Sequence, residues 1–121
     1  MKKVLIVDDK EEVRELVEVT LRLENYKILM AENGEKAINI TKDEKPDLII
    51  MDILMPGEID GLEVTRRIKC DPELKECKII MLTAKGQKDD IEEGYEAGAD
   101  IYLVKPFSPM ELTKKVEEIL G

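Results

Sequence analysis

Four short apolar runs in this chain each stop on a reactive polar side chain. Val4–Val7 is followed by Asp8 and Asp9, and Leu48–Met51 by Asp52. Ile79–Leu82 is followed by Thr83, and Tyr102–Val104 by Lys105 and Pro106. If the runs are parallel strands of one sheet, their C-terminal ends share one edge. Three carboxylates, a hydroxyl and an ammonium then meet in one crevice. Carboxylates a few ångström apart repel, and the one lysine offsets a single charge. A hard divalent cation with oxygen ligands resolves the rest. Mg²⁺ suits such a site, because it binds through one or two carboxylates and keeps water positions for a phosphate. The cation and Lys105 would neutralise phosphoryl oxygens, and a carboxylate can serve as the nucleophile.

Taken singly, each residue has an ordinary explanation. Asp9 has an equal claim to be a helix N-cap. Thr83 is a good strand former. Lys105 could be a solvated gatekeeper and Lys-Pro only a turn. The case rests on all of them falling at the same position relative to four runs.

The elements that would carry these residues alternate regularly. Strands are expected at Lys3–Val7, Lys27–Ala31, Asp47–Met51, Lys78–Leu82 and Asp100–Val104. The first helix is expected over Lys10–Glu24, with Val13, Leu16, Val17, Thr20 and Leu21 on one stripe. Asn33 caps a second helix running to Glu44, with Pro46 just beyond it. Asp60 and Glu63 form a capping pair for a helix starting near Gly61. The fourth helix spans Lys88–Ala97 and stops at Gly98. The fifth starts with Ser108 as N-cap, Pro109 at the first position and Glu111 completing a capping box. Its buried stripe is Leu112, Val116, Ile119 and Leu120, and Gly121 ends it.

The first, third and fourth strands are almost wholly apolar, as strands covered on both faces are. The pattern predicts a three-layer, doubly wound (βα)5 fold with a parallel five-stranded sheet of order 2-1-3-4-5. That order reverses between the first and third strands, and ligands of open α/β sheets bind at such a reversal. Asp8, Asp9 and Asp52 stand there.

Composition narrows the function classes. The 121 residues suit one domain and bury roughly 65% of the unfolded surface. Lysine and arginine total 19 against 28 acidic residues, a formal charge of −9. That balance opposes direct contact with nucleic acid or an anionic membrane. No apolar run spans a bilayer, and MKKVLIVDDK lacks the apolar core of a secretion signal, so a cytoplasmic setting is expected. There are no histidines, which removes the usual zinc sites and histidine bases. Cys70 and Cys77 leave two readings open. They are free thiols, as is usual in a reducing compartment, or a disulfide of the kind found in intracellular thermophile proteins.

Asp8-Asp9, Asp52 with Met55-Pro56, Thr83-Ala84 and Lys105-Pro106 together resemble the receiver domain of two-component response regulators. The resemblance covers essentially residues 1–121 as a single domain of the flavodoxin-like type. It implies that Asp52 is the phosphoacceptor. Mg²⁺ would be held by Asp9, Asp52 and the Leu54 backbone carbonyl, with Asp8 acting mainly through water. Lys105 would contact the phosphoryl oxygens across a cis Lys105–Pro106 peptide. Thr83 would be the switch hydroxyl, and Tyr102 the aromatic that turns inward when the threonine moves. The face built from the fourth helix, fifth strand and fifth helix would change in response. The phosphoryl group would come from a sensor histidine kinase or a histidine phosphotransfer protein, and an effector protein or output domain would read the change. Such a domain is not an enzyme acting on other molecules, although it takes part in its own phosphorylation and slow dephosphorylation. Homodimerisation on activation is left open.

One departure stands out. Gly57, Glu58 and Ile59 separate Pro56 from Asp60-Gly61, where the family usually has two residues. Two other function classes fit the residues less well. An aspartyl-phosphate phosphatase or phosphotransferase needs an aspartate where Leu54 stands. An unphosphorylated interaction module would ordinarily lack one of the acidic residues, the threonine or the lysine. A flavin-binding role is opposed by the acidic first loop, DDKEE.

Overall fold

Ten elements alternate along the chain: β1 (Lys2–Val7), α1 (Glu11–Leu21), β2 (Tyr26–Ala31), α2 (Gly34–Glu44), β3 (Leu48–Met51), α3 (Gly61–Cys70), β4 (Lys78–Thr83), α4 (Lys88–Ala97), β5 (Ile101–Val104) and α5 (Pro109–Leu120). They come from a computed structural model that describes residues 1–22 and 24–121. The five strands pair in parallel in the order β2-β1-β3-β4-β5.

Period-two alternation sends neighbouring strand residues to opposite faces, so the apolar runs feed two cores. Leu5, Val7, Ile49, Met51, Ile79 and Met81 pack with Ala37, Val64 and Ile68 under α2, α3 and α4. Val4, Ile6, Leu48, Ile50, Ile80 and Leu82 pack with Val17, Leu21, Leu112 and Val116 under α1 and α5. Many of these side chains are fully buried, each contributing about 1.5–3 kcal/mol of apolar burial. Strong burial on both faces fixes the register, because a one-residue slip would exchange the two cores.

Helix ends correct several expectations. α1 begins at Glu11 rather than Lys10 and ends at Leu21, short of Glu24; Leu23 lies outside the described residues. Its N-cap is Lys10, with no side-chain cap bond, so Asp9 is not the cap and its carboxylate is free for other work. Of the expected α1 stripe only Val17 and Leu21 are buried; Leu16 is 51% exposed and Val13 and Thr20 are half-buried. Ile119 and Leu120 of α5 are likewise half-buried. Asp60 accepts from the Glu63 N–H and Ser108 from the Glu111 N–H. Glu63 turns instead to Arg66 and Arg67, so that cap is one-sided. The expected box at Ser108 is one-sided too, with no bond returning from Glu111, and at α4 it is Asp90 that accepts from the Gln87 N–H, at 3.2 Å.

Both cysteines are free thiols, which sets aside the disulfide reading. Cys70 is exposed at the end of α3. Cys77 is buried, donates to the Pro46 carbonyl at 2.7 Å, and has its pKa pushed up by burial to about 11. Only a thiolate attacks disulfide reagents. A thiol titration near neutral pH should therefore register one fast equivalent in the native protein and a second only in denaturant. Two fast native equivalents would contradict the buried placement of Cys77.

Candidate functional site

β1 delivers Asp8 to the edge of the sheet, where its side chain is almost fully buried. The Asp8 N–H extends the ladder to the Ala31 carbonyl at 3.2 Å. One carboxylate oxygen accepts from the Lys10 N–H at 3.0 Å, and the other accepts from the Lys105 ammonium at 2.7 Å. β3 delivers Asp52, whose N–H bonds the Val7 carbonyl at 3.0 Å. Asp52 accepts from the Leu54 N–H and from Lys105, each at 3.3 Å. β4 ends on Thr83, which is fully buried. The Lys105 N–H bonds the Thr83 carbonyl at 2.8 Å, aligning the end of β5 with the end of β4. The Lys105–Pro106 peptide is cis.

Asp8, Asp9 and Asp52 each offer an oxygen within 4.8 Å of the others. The Lys105 ammonium touches two of these carboxylates, Asp8 and Asp52. Burial raises the Asp52 pKa, and the Asp8 charge adds to the rise; Lys105, the Thr83 hydroxyl and the Leu54 N–H oppose it. Burial pulls the Lys105 pKa down, yet the hydrogen bond to Asp8 and the charges of Asp52 and Asp8 outweigh it and leave it above the ordinary value. The donors form an all-oxygen, hard set of the kind Mg²⁺ takes. Ligand oxygens around Mg²⁺ stand at most about 4 Å apart, so a small inward movement closes the ring. Asp9 is the ready member. Its side chain is 30% exposed and its nearest cation is Lys10 at 3.9 Å, whereas both oxygens of Asp8 are engaged. The residues fit the ion.

Tyr102 lies under α4, only 9% exposed, and its hydroxyl donates to the Lys85 carbonyl at 2.6 Å. The ring is therefore already turned inward, and it is more buried than an ordinary strand-end aromatic. Burial, followed by the charges of Asp90, Asp52 and Glu93, pushes its phenol up to about 12. The seat exists because α4 carries Gly94. A Cβ there would stand 2.5 Å from the Tyr102 ring. The sequence did carry a signal for this seat, since a glycine inside a helix costs about 1 kcal/mol against alanine and needs a reason.

The loop after β3 is also resolved by packing. Ile59 is buried, and a Cβ on Gly34 would come within 2.7 Å of its side chain. The longer loop is thus pinned to the start of α2 by its third residue. Gly57 takes φ +108°, a left-handed conformation that glycine adopts freely. Leu54 projects outward, 53% exposed, two residues beyond Asp52.

The model of the response regulator receiver domain matches residues 4–117. The chain is 45% identical over 119 residues to the phosphate regulon transcriptional regulatory protein PhoB of Pseudomonas aeruginosa, covering 98% of this chain and 52% of that protein. It is 48% identical over 118 residues to the transcriptional regulatory protein ResD of Bacillus subtilis, covering 98% and 48% respectively. The chain spans about half the length of these curated relatives. Among solved structures, the chemotaxis response regulator CheY4 of Vibrio cholerae superposes with a TM-score of 0.90 at 34% identity, covering 98% of both chains. No described helix is long and apolar enough to cross a membrane.

Proposed function

The chain belongs to the response regulator receiver domain family, and from that premise we propose that it is a phosphorylation-activated switch whose acceptor is Asp52. The observation that carries this reading is the crevice itself. Asp52 is buried beside Asp8, and Lys105 holds one oxygen of each.

The donor is a phosphohistidine on a sensor histidine kinase or a histidine phosphotransfer protein, since this chain has no histidine. An Asp52 carboxylate oxygen attacks phosphorus. The new P–O bond forms as the P–N bond breaks, and the leaving imidazole keeps the electron pair and takes up a proton. Lys105 transfers its hydrogen bonds from the carboxylates to the phosphoryl oxygens. Asp9, Asp52 and the Leu54 carbonyl, with Asp8 through water, would hold Mg²⁺, which would supply the remaining charge neutralisation. Thr83 then turns its hydroxyl toward the phosphoryl group. Tyr102 is held in the inward seat and the α4–β5–α5 face changes, a two-state element biased by a new dianion. Residues 1–121 act as one receiver domain in a cytoplasmic setting, with the listener in a separate effector or an output domain.

Incubation with acetyl phosphate and Mg²⁺ tests it by intact mass. One phosphoryl adduct is expected on the wild type and none on Asp52→Asn. No adduct on the wild type, or an equal adduct on the variant, sinks the assignment.

A further inference from the structure

Arg14 reaches back from the first turns of α1 and donates from its guanidinium to the Asp8 carbonyl at 2.7 Å. That carbonyl belongs to the peptide plane joining Asp8 to Asp9. The plane sets the direction in which the Asp9 side chain leaves the backbone. Asp8 itself is otherwise well fixed: its N–H is paired to Ala31 and both carboxylate oxygens are engaged. Asp9 has no comparable tether. Its carboxylate accepts no hydrogen bond among the described residues, and its cation partner is exposed Lys10 at 3.9 Å. One side chain therefore orients the peptide that aims the least anchored carboxylate of the cluster.

From this geometry we infer that Arg14 is a positioning residue, which holds the Asp8–Asp9 peptide so that Asp9 is aimed into the crevice before any ion arrives. The inference rests on the Mg²⁺ reading above. Two effects of Arg14 oppose each other there. As a cation bonded to the Asp8 carbonyl it weakens binding of another cation there. As a tether it removes freedom that Asp9 would otherwise lose on binding. A charge-assisted hydrogen bond at this distance, half-buried, is a strong one. Partners that orient a metal ligand are commonly worth tenfold or more in affinity. The tether therefore outweighs the field.

The opposition of signs makes the test decisive. Mg²⁺ is titrated calorimetrically into the wild type, Arg14→Met and Arg14→Lys, and urea unfolding is followed beside it. Arg14→Met keeps the aliphatic stem and should bind Mg²⁺ about tenfold more weakly. Arg14→Lys keeps the charge but not the planar fork, and should fall between. Unfolding midpoints should change little. If Arg14→Met binds as tightly as the wild type, or more tightly, the field dominates and the inference is wrong. A wild type that binds no Mg²⁺ would remove the metal reading alone, because amide exchange without metal tests the tether separately. The Asp9 and Lys10 amides should exchange several-fold faster in Arg14→Met, and unchanged exchange would overturn the tether. Should Arg14→Met fail to fold, Arg14→Lys supplies the same two readouts.

Discussion

In the absence of divalent cation, Lys105→Met should lose about 3–5 kcal/mol of stability at neutral pH, whereas Asp52→Asn should gain stability. The two substitutions act on one ion cluster with opposite signs. Asp8 and Asp52 have side chains only 4% and 3% exposed, and Lys105 is the ammonium that touches both. Methionine keeps the stem of the lysine but leaves two buried carboxylates facing each other. The loss is limited by protonation, since the Asp52 pKa is already raised by burial. The sign follows from that direction. A carboxyl whose folded pKa exceeds its unfolded value stabilises the fold below the unfolded pKa, and this is lost as pH rises through the folded one. The deficit of Lys105→Met should therefore shrink on acidification toward the ordinary carboxylate range. Asp52→Asn removes the costly charge, leaves the Lys105–Asp8 pair in place and retains an oxygen for the Leu54 N–H. Urea unfolding at several pH values without Mg²⁺ measures both. A Lys105→Met protein as stable as the wild type would show that the lysine is not what holds these carboxylates together. The expected pattern also means that the Asp52 charge is kept against the interest of the fold, as groups at functional sites often are.

The reactive edge was legible because it needed only two things from the sequence: strand ends and strand order. Continuous apolar runs such as Leu48–Met51 announce buried parallel strands, and five alternating units leave few topologies. The helices were less legible. Val13, Leu16, Val17, Thr20 and Leu21 all fall within a broad apolar stripe, but spacing alone does not say where the centre of the stripe meets the sheet. The centre runs through Val17 and Leu21, so Leu16 turns to solvent. Contacts between elements were hidden for a different reason. Arg14 reaching Asp8, Tyr102 seated over Gly94 and Ile59 against Gly34 depend on how neighbouring elements approach. Of these, Gly94 had a local trace, because a mid-helix glycine without a turn asks for an explanation. Arg14 had none: an arginine on the first turns of an acidic helix reads as a solvated charge.

Gly61→Ala should destabilise the protein by about 3 kcal/mol or more and slow phosphorylation by a larger factor than its stability loss implies. α3 starts hard against the end of β3. The Gly61 N–H donates to the Ile53 carbonyl at 3.0 Å, and the Asp60 side chain caps the helix from the preceding position. A Cβ at Gly61 would stand 2.2 Å from the Asp52 carbonyl oxygen and 2.8 Å from the Ile53 Cα. Those are backbone atoms, so relief requires moving the strand end or the helix start. Either movement shifts Asp52, and displacement of a reacting group by about 1 Å can cost on the order of a hundredfold in rate. Gly94→Ala makes the informative comparison. Its added Cβ meets the Tyr102 ring, a side chain that can rotate away. That variant should keep most of its stability and its phosphorylation rate while expelling the ring, seen as easier nitration of Tyr102. Urea unfolding with phosphorylation rates from acetyl phosphate separates the two glycines. If Gly61→Ala loses no more stability than Gly94→Ala and phosphorylates at the wild-type rate, then the Asp60-Gly61 step is not what fixes Asp52 in place.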